Sequence, residues 1–254
     1  MSVISLGVDV GGTFTDFVLL DEAQQRLRIG KRLTTPHDPS EAIIAGTAHL
    51  LAESQTDPGA VRRVVHGTTL VANTIIERKG AATGLLTTKG FRDTLEIGRE
   101  LRYDLYDLFI ERPEPLVPRY LRYEVDERVD QEGAVLRPLD EAQVLAAADA
   151  LVAEGVQALA ICFLHAYRNP AHERRTRDLI VARHPQLVLS LSSDVAPEIR
   201  EYERTTTTVA NAYVRPLMMR YLGRLEQQLQ RLGMAAPLHM MLSSGGVTTA
   251  DVGR

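Results

Sequence analysis

Apolar and polar positions alternate from the start of the chain. Val3, Ile4, Leu6, Val8 and Val10 read as a short buried strand, and Phe17 to Leu20 as a second, closed by Asp21. Between them lie Gly11, Gly12, Thr13, Thr15 and Asp16. Residues 27–35 fit a third strand. Asp38-Pro39-Ser40-Glu41 is a helix start, with Asp38 as N-cap and Pro39 in the first turn; Ile43, Thr47, Leu50 and Leu51 line one face of that helix. Val61, Val64 and Val65 make a strand that ends in His66-Gly67-Thr68-Thr69. A helix over 73–79 follows, with Gly80 as its terminating glycine. Residues 83–88 are a strand and 91–98 a helix.

Residues 100–137 break the pattern. They carry Tyr103, Tyr106, Tyr120 and Tyr123 together with Pro113, Pro115 and Pro118, and read as an irregular insertion with short strands near 123–129 and 135–136. Regular alternation resumes with a capping box at Asp140-Glu141-Ala142-Gln143, a helix stopped by Gly155, and an apolar run over 156–164 that fits a strand buried on both faces. His165 follows that strand at its carboxyl end, the edge where open α/β sheets bind ligands. A helix opens at Asn169-Pro170, and residues 187–191 are a strand. Thr205 to Thr208 are four β-branched hydroxyl residues in a row, poor helix material that fits a helix start, a bend or a ligand-facing row. The chain is helical again from Ala210, with Pro216 a point for a bend. A last strand over 239–242 runs into Ser243-Ser244-Gly245-Gly246. Strands and helices alternate after residue 36, so the expected architecture is α/β, a mixed sheet flanked by helices.

The glycine turns carry the chemistry. Glycine lets a backbone approach closely and aim N–H groups at an anion, and Thr13 and Thr15 add hydroxyl donors. Asp9 stands just before the turn. A carboxylate beside a phosphate needs a cation between them, so Asp9 points to Mg²⁺, held through water. The competing reading is a plain Gly-Gly hairpin. The dinucleotide fingerprint and the Walker loop are both absent. His66-Gly67-Thr68-Thr69 fits a second ligand edge equally with a Thr-capped helix over a core histidine. Ser-Ser-Gly-Gly, with Gly245 and Gly246, is a third anion-cradling turn.

Composition removes several classes. The 254 residues carry a formal net charge of −4 and 5% aromatics, which argues against nucleic acid, base stacking or an anionic membrane surface. Cys162 is the single cysteine; it sits in the apolar run and reads as core rather than nucleophile. His172-Glu173 opens like a zinc-protease motif, but the fifth position is Thr176. With no membrane-length apolar run and no signal-type segment at the start, a cytoplasmic protein is expected.

Asp-x-Gly-Gly-Thr between two strands resembles the first phosphate loop of the actin, sugar kinase and chaperone ATPase superfamily. The segments 7–16, 66–81, 85–99, 162–173, 201–214 and 243–246, in that order, are similar to the hydantoinase A / 5-oxoprolinase family. The resemblance implies an actin-like, ribonuclease-H-like fold: a first lobe over 1–184 containing the 100–137 insertion, and the start of a second over 185–254. It also implies ATP and Mg²⁺ as cofactors. The implied reaction opens a ring such as 5-oxoproline or a hydantoin by phosphorylating the amide oxygen and hydrolysing the product; relatives instead activate a ketone for carboxylation.

Carried onto this chain, the resemblance makes Asp9 the holder of the Mg²⁺ hydration shell and Gly11, Gly12, Thr13 and Thr15 the phosphate cradle. Asp16 orients the turn or a water. His66, Gly67, Thr68 and Thr69 face the cleft, and Arg204, Thr205 and His165 fall to the substrate. A B-type partner subunit or fused region, and an oligomeric assembly, are expected. The family's second phosphate loop has no counterpart here, so the chain is expected to be an N-terminal piece that binds Mg-ATP weakly and does not turn it over. A sugar or small-acid kinase and a nucleotide-sensing assembly subunit are the alternatives.

Overall fold

A computed structural model describes residues 3–35, 37–100, 104, 106–111 and 113–250. Tyr103 lies outside these residues. The chain divides into two compact units, one of residues 1–77 with 217–254 and the other of 78–216.

The first unit is built on β1 (Ile4–Val10), β2 (Phe14–Asp21) and β3 (Arg26–Leu33), an antiparallel meander. Alternation sends Ile4, Leu6, Val8 and Val10 to one face of β1, and Ser5, Gly7 and Asp9 to the other. Helix α1 (Pro39–Glu53) covers the apolar face. It starts as expected: the Asp38 carboxylate accepts from the Ser40 amide at 3.0 Å. Gly46 on α1 is required by packing, since a Cβ there would lie 2.2 Å from the Phe17 ring. Burying that ring fully is worth about 2–3 kcal/mol. β4 (Val61–Thr68) then pairs parallel with β1. Helix α2 (Leu70–Ile76) follows, three residues earlier than expected. Arg78, at φ +53, takes the left-handed position after α2. Gly80 has a different job: a Cβ there would meet the Tyr213 ring at 2.2 Å.

The second unit holds a four-stranded, wholly parallel sheet. Its strands are β5 (Thr83–Thr88), β6 (Arg122–Val125), β9 (Ala158–Cys162) and β10 (Val188–Leu191), in the order β10-β9-β5-β6. Every residue of β5 and β9 is buried, as expected for a sheet covered on both faces. The short helix α3 (Thr94–Ile97) replaces the longer one expected over 91–98. The 100–137 segment is not wholly an insertion, because β6 is an integral strand of this sheet. β7 (Arg128–Val129) and β8 (Val135–Arg137) form a separate ribbon. Asp140 caps α4 (Glu141–Ala153) through the Gln143 amide, while the Gln143 side chain reaches the Asp126 amide rather than closing a box. Helices α5 (Ala171–Arg183) and α6 (Ser192–Val195) complete the unit before α7 (Glu201–Arg231).

Two expectations are corrected here. Thr205 to Thr208 lie inside α7, where the hydroxyls of Thr206, Thr207 and Thr208 donate to the carbonyls four residues back. And the compact units do not divide near residue 185: residues 217–254 group with the first unit. β11 (Leu238–Met241) pairs parallel with β4, and β12 (Val247–Thr249) closes the first sheet in the order β12-β11-β4-β1-β2-β3. Strand order 3-2-1-4 with a fifth parallel strand beside the fourth is the ribonuclease-H-like pattern expected of an actin-like lobe. Among the described residues no helix is long and apolar enough to cross a membrane.

Candidate functional site

β1, β4 and β11 run parallel, so the turns after them share one edge of the first sheet. The turn after β1 is held from outside by a residue the sequence did not single out. Thr34 donates through its amide to the Thr13 carbonyl and through its hydroxyl to the Gly11 carbonyl, both at 2.9 Å. Its hydroxyl also meets Thr15 Oγ1 at 3.0 Å. Thr15 is therefore buried against Thr34 and does not open into the turn. Gly11 closes the turn by donating to the Phe14 carbonyl at 2.9 Å. Among the described residues the amides of Gly12 and Thr13 have no protein acceptor. Both residues are exposed, and a Cβ on Gly12 would meet nothing within 4 Å. No protein contact demands glycine at position 12, whereas close approach of an anion would.

Asp9 and Asp16 are directly opposed across β1 and β2. Lys31 sits 3.1 Å from Asp16 and neutralises it. Asp9 has no cationic partner among the described residues and is exposed. On its other side is Gly67, where a Cβ would come within 2.8 Å of Asp9 Oδ1. The absence of a side chain at 67 leaves room for the Asp9 carboxylate. An exposed, unpaired carboxylate beside two free amides fits a hydrated divalent cation shared with phosphate oxygens. Among the described residues no cluster of three or more side chains could hold a metal directly, so any such cation keeps most of its water.

His66 turns away from this edge. It is in register with Val8 and shares that strand's buried face, where Nε2 meets the Tyr221 hydroxyl at 2.8 Å. Burial pushes its pKa down to about 4. This corrects the expectation of a catalytic histidine in favour of the core reading. Thr68 accepts from the Leu70 amide at 3.1 Å just ahead of α2, and Thr69, the N-cap residue, accepts through Oγ1 from Asn73. Gly245, at φ +83, closes the β11–β12 hairpin by donating to Leu242, and the Leu242 amide donates to Gly246. Part of that turn's donor set is therefore already bonded.

Arg204, Thr205 and His165 belong to the other unit. Arg204 is buried, donates to the Phe163 carbonyl at 2.7 Å and lies over the Tyr167 ring. Thr205 is buried within α7. His165 takes φ +57 and is tied through Nδ1 to the Val129 carbonyl. Arg204 and His165 help to hold the turn after β9. Beside them is Glu173, buried and accepting from the Phe163 amide, Ser192 Oγ and the Ser193 amide at 2.6–2.9 Å. Burial raises its pKa. Glu127, also buried, is bonded by Thr88 and His172. The sequence does not reveal the burial of either carboxylate, because their partners are distant along the chain. Cys162 is core, its thiol pushed up to about 12 by burial.

Residues 5–183 match the hydantoinase/oxoprolinase N-terminal region, and residues 204–254 the hydantoinase/oxoprolinase segment. The chain is 39% identical to the caprolactamase subunit alpha of Pseudomonas jessenii, over 98% of this chain and 36% of that one. It is 34% identical to the acetophenone carboxylase gamma subunit of Aromatoleum aromaticum, over 99% and 36%, and 33% identical to the 5-oxoprolinase of Saccharomyces cerevisiae, over 96% and 22%. The crystal structure of ATP-dependent caprolactamase superposes with a TM-score of 0.87 at 38% identity, over 96% of this chain and 36% of that one. Nucleotide-free acetone carboxylase gives 0.86 at 28% identity, over 98% and 38%. The chain thus spans little more than a third of these relatives at most. With both family segments matched in order and the fold shared, the chain belongs to the hydantoinase/oxoprolinase family.

Proposed function

We propose that this chain supplies the first phosphate turn of an ATP-dependent enzyme that opens a cyclic amide. The observation that carries the reading is the turn of Gly11 to Thr13, with two free amides beside the unpaired Asp9. The amides of Gly12 and Thr13 and the Thr13 hydroxyl donate to phosphate oxygens. Asp9 would hold a hydrated Mg²⁺, whose charge would offset that of the phosphates. Asp16, fixed by Lys31, keeps the second strand of the hairpin in place. The amide oxygen attacks the γ-phosphorus, the bond to the bridging oxygen breaks, and ADP leaves. Water then adds to the activated carbon. Its protons pass to the ring nitrogen and to solvent as the C–N bond breaks, leaving a free amine and an acyl phosphate, and a second water splits the acyl phosphate into a carboxylate and inorganic phosphate.

Caprolactamase and 5-oxoprolinase among the relatives support ring opening, and the relatives named as subunits support a partner subunit. The test uses the full-length natural protein with that partner. ADP release is followed with lactams, 5-oxoproline, hydantoins, and ketone plus bicarbonate, with Asp9→Ala alongside. Release that depends on one ring and falls at least about a hundredfold in Asp9→Ala is the expected result. Release only with ketone and bicarbonate moves the protein to the carboxylase branch. A stable phosphorylated product makes it a kinase, and ATP binding without substrate-dependent release leaves the sensor reading.

A further inference from the structure

β3 is the outer strand of the first sheet, and among the described residues nothing pairs with its far edge. Arg26–Leu33 carries four bases and no acid, in a chain whose net charge is −4. Alternation sends its two kinds of side chain to opposite faces. Arg26, Arg28 and Arg32 stand on the face that α1 covers. Leu27, Ile29 and Leu33 stand on the other, 55%, 72% and 64% exposed. They lie opposite Leu20, Val18 and Phe14 of β2, which are exposed as well, so the apolar row is two strands wide. The backbone alternates too. The Thr34 amide bonds the Thr13 carbonyl, in the pair next to Phe14 and Leu33. In an antiparallel ladder this fixes which groups turn inward. The N–H and C=O groups of Arg26, Arg28, Gly30 and Arg32 face β2, and those of Leu27, Ile29, Lys31 and Leu33 point to the open edge.

The charges decide what that edge accepts. Lys31 is engaged within the sheet, with Nζ 3.1 Å from Asp16 and 4.7 Å from the centre of the Phe14 ring. The three arginines make no ion pair among the described residues. Two carboxylates flank them, and both are engaged elsewhere. Asp21, opposite Arg26, accepts from the Ala23 and Gln24 amides at 3.0 and 3.1 Å. Glu53 shares a groove of about 560 Å³ with Leu27, Arg28 and Ile29, and lies 3.4 Å from His49 Nε2. Charge on an edge strand can serve to keep other strands away. A second copy is turned away here: centred on Ile29 or Gly30, antiparallel pairing of β3 with itself sets Arg26 or Arg28 opposite Arg32. Guarding alone does not account for the exposed apolar row. A strand in which acidic and apolar residues alternate matches all three features together. Its backbone completes the ladder, its acids face the arginines, and its apolar side chains widen the row. A polyanion without a peptide backbone matches the charge alone.

We propose that β3 is a docking edge for an extended segment of another polypeptide in which Asp or Glu alternates with Val, Ile or Leu. The inference does not depend on the reaction proposed above. Fluorescence anisotropy with the full-length natural protein measures binding of a short labelled peptide that alternates glutamate with valine. It is expected to bind at least about tenfold more tightly than its lysine counterpart, and than a scrambled peptide of the same composition. The double change Arg28→Glu/Arg32→Glu, at exposed positions and checked for folding by circular dichroism, should reverse the preference toward the lysine peptide. On binding, hydrogen exchange should slow at Leu27, Ile29, Lys31 and Leu33 and change little at Arg28 and Arg32, whose amides are already bonded. Equal binding of the alternating and scrambled peptides reduces the edge to a general attraction for anions and overturns the inference. So does no binding, or exchange at the four outward amides that is already slow in the protein alone. Self-association abolished by Arg28→Glu/Arg32→Glu overturns it as well, giving the edge to a second copy.

Discussion

Replacing His66 by glutamine removes the one buried imidazole of the first sheet and tests the core reading directly. In the folded protein burial lowers its pKa from 6.5 to about 4; its Nδ1 makes no hydrogen bond of ordinary geometry, and the Val8 main chain offsets only part of the burial. The unfolded chain therefore takes up a proton that the folded chain refuses as pH falls below about 6.5. The neutral ring's contribution is complete above that pH, declines through the window down to about 4, and is lost below it. The full difference is about 3 kcal/mol, and about 2 kcal/mol of it is gone by pH 5. Urea midpoints followed by far-UV circular dichroism at pH 7.5 and pH 5 measure it. The natural chain should lose about 2 kcal/mol more over this range than His66→Gln, with unchanged slopes. Equal losses in the two proteins would mean that His66 titrates normally and is not sealed against Tyr221, and would reopen a role for it at the sheet edge.

Two further substitutions probe the site and its support. Gly67→Ala places a Cβ 2.8 Å from Asp9 Oδ1 and must displace that exposed carboxylate. ADP release should fall by about a hundredfold, the scale of an ångström-level misplacement, while the melting temperature moves by less than about 2 °C. Unchanged release would detach Asp9 from the reaction. Gly46→Ala drives a methyl into the Phe17 ring at 2.2 Å and should cost about 1–3 kcal/mol or more in a urea titration; a neutral result would mean α1 is free to shift.

The hairpin at the head of the chain was legible because its information is local. Alternating apolar residues, two glycines and Asp9 lie within a dozen positions, and strict alternation admits one register. The caps at Asp38 and Asp140 were legible for the same reason. What sequence hid is long-range. Thr34 clamps a turn about twenty residues upstream, Tyr221 accounts for His66, and Glu127 gathers Thr88 and His172 from different strands and helices. The threonine run misled because intrinsic propensity counts against β-branched residues, whereas within α7 their hydroxyls bond the preceding turn and Thr205 and Thr208 are buried. Gly80 misled because a glycine near a helix end suggests a cap, and only the fold reveals the Tyr213 ring it accommodates.

The pairing of β4 with β11 sets an order of events during synthesis. About 170 residues separate the two strands, so the first sheet cannot gain its fifth strand until nearly all of this chain has left the ribosome. Residues 78–216 are contiguous and can close earlier. Their ends are already joined, since the Ala81 amide donates to the Tyr213 carbonyl at 2.9 Å. Once that bond forms, the free chain between β4 and β11 shrinks to roughly 40 residues, easing ring closure by about 1 kcal/mol. A vectorial route follows, in which the middle of the chain folds first and hands the waiting meander its last partner. Mutations that loosen the Gly80–Tyr213 junction would then slow completion of a sheet they never touch.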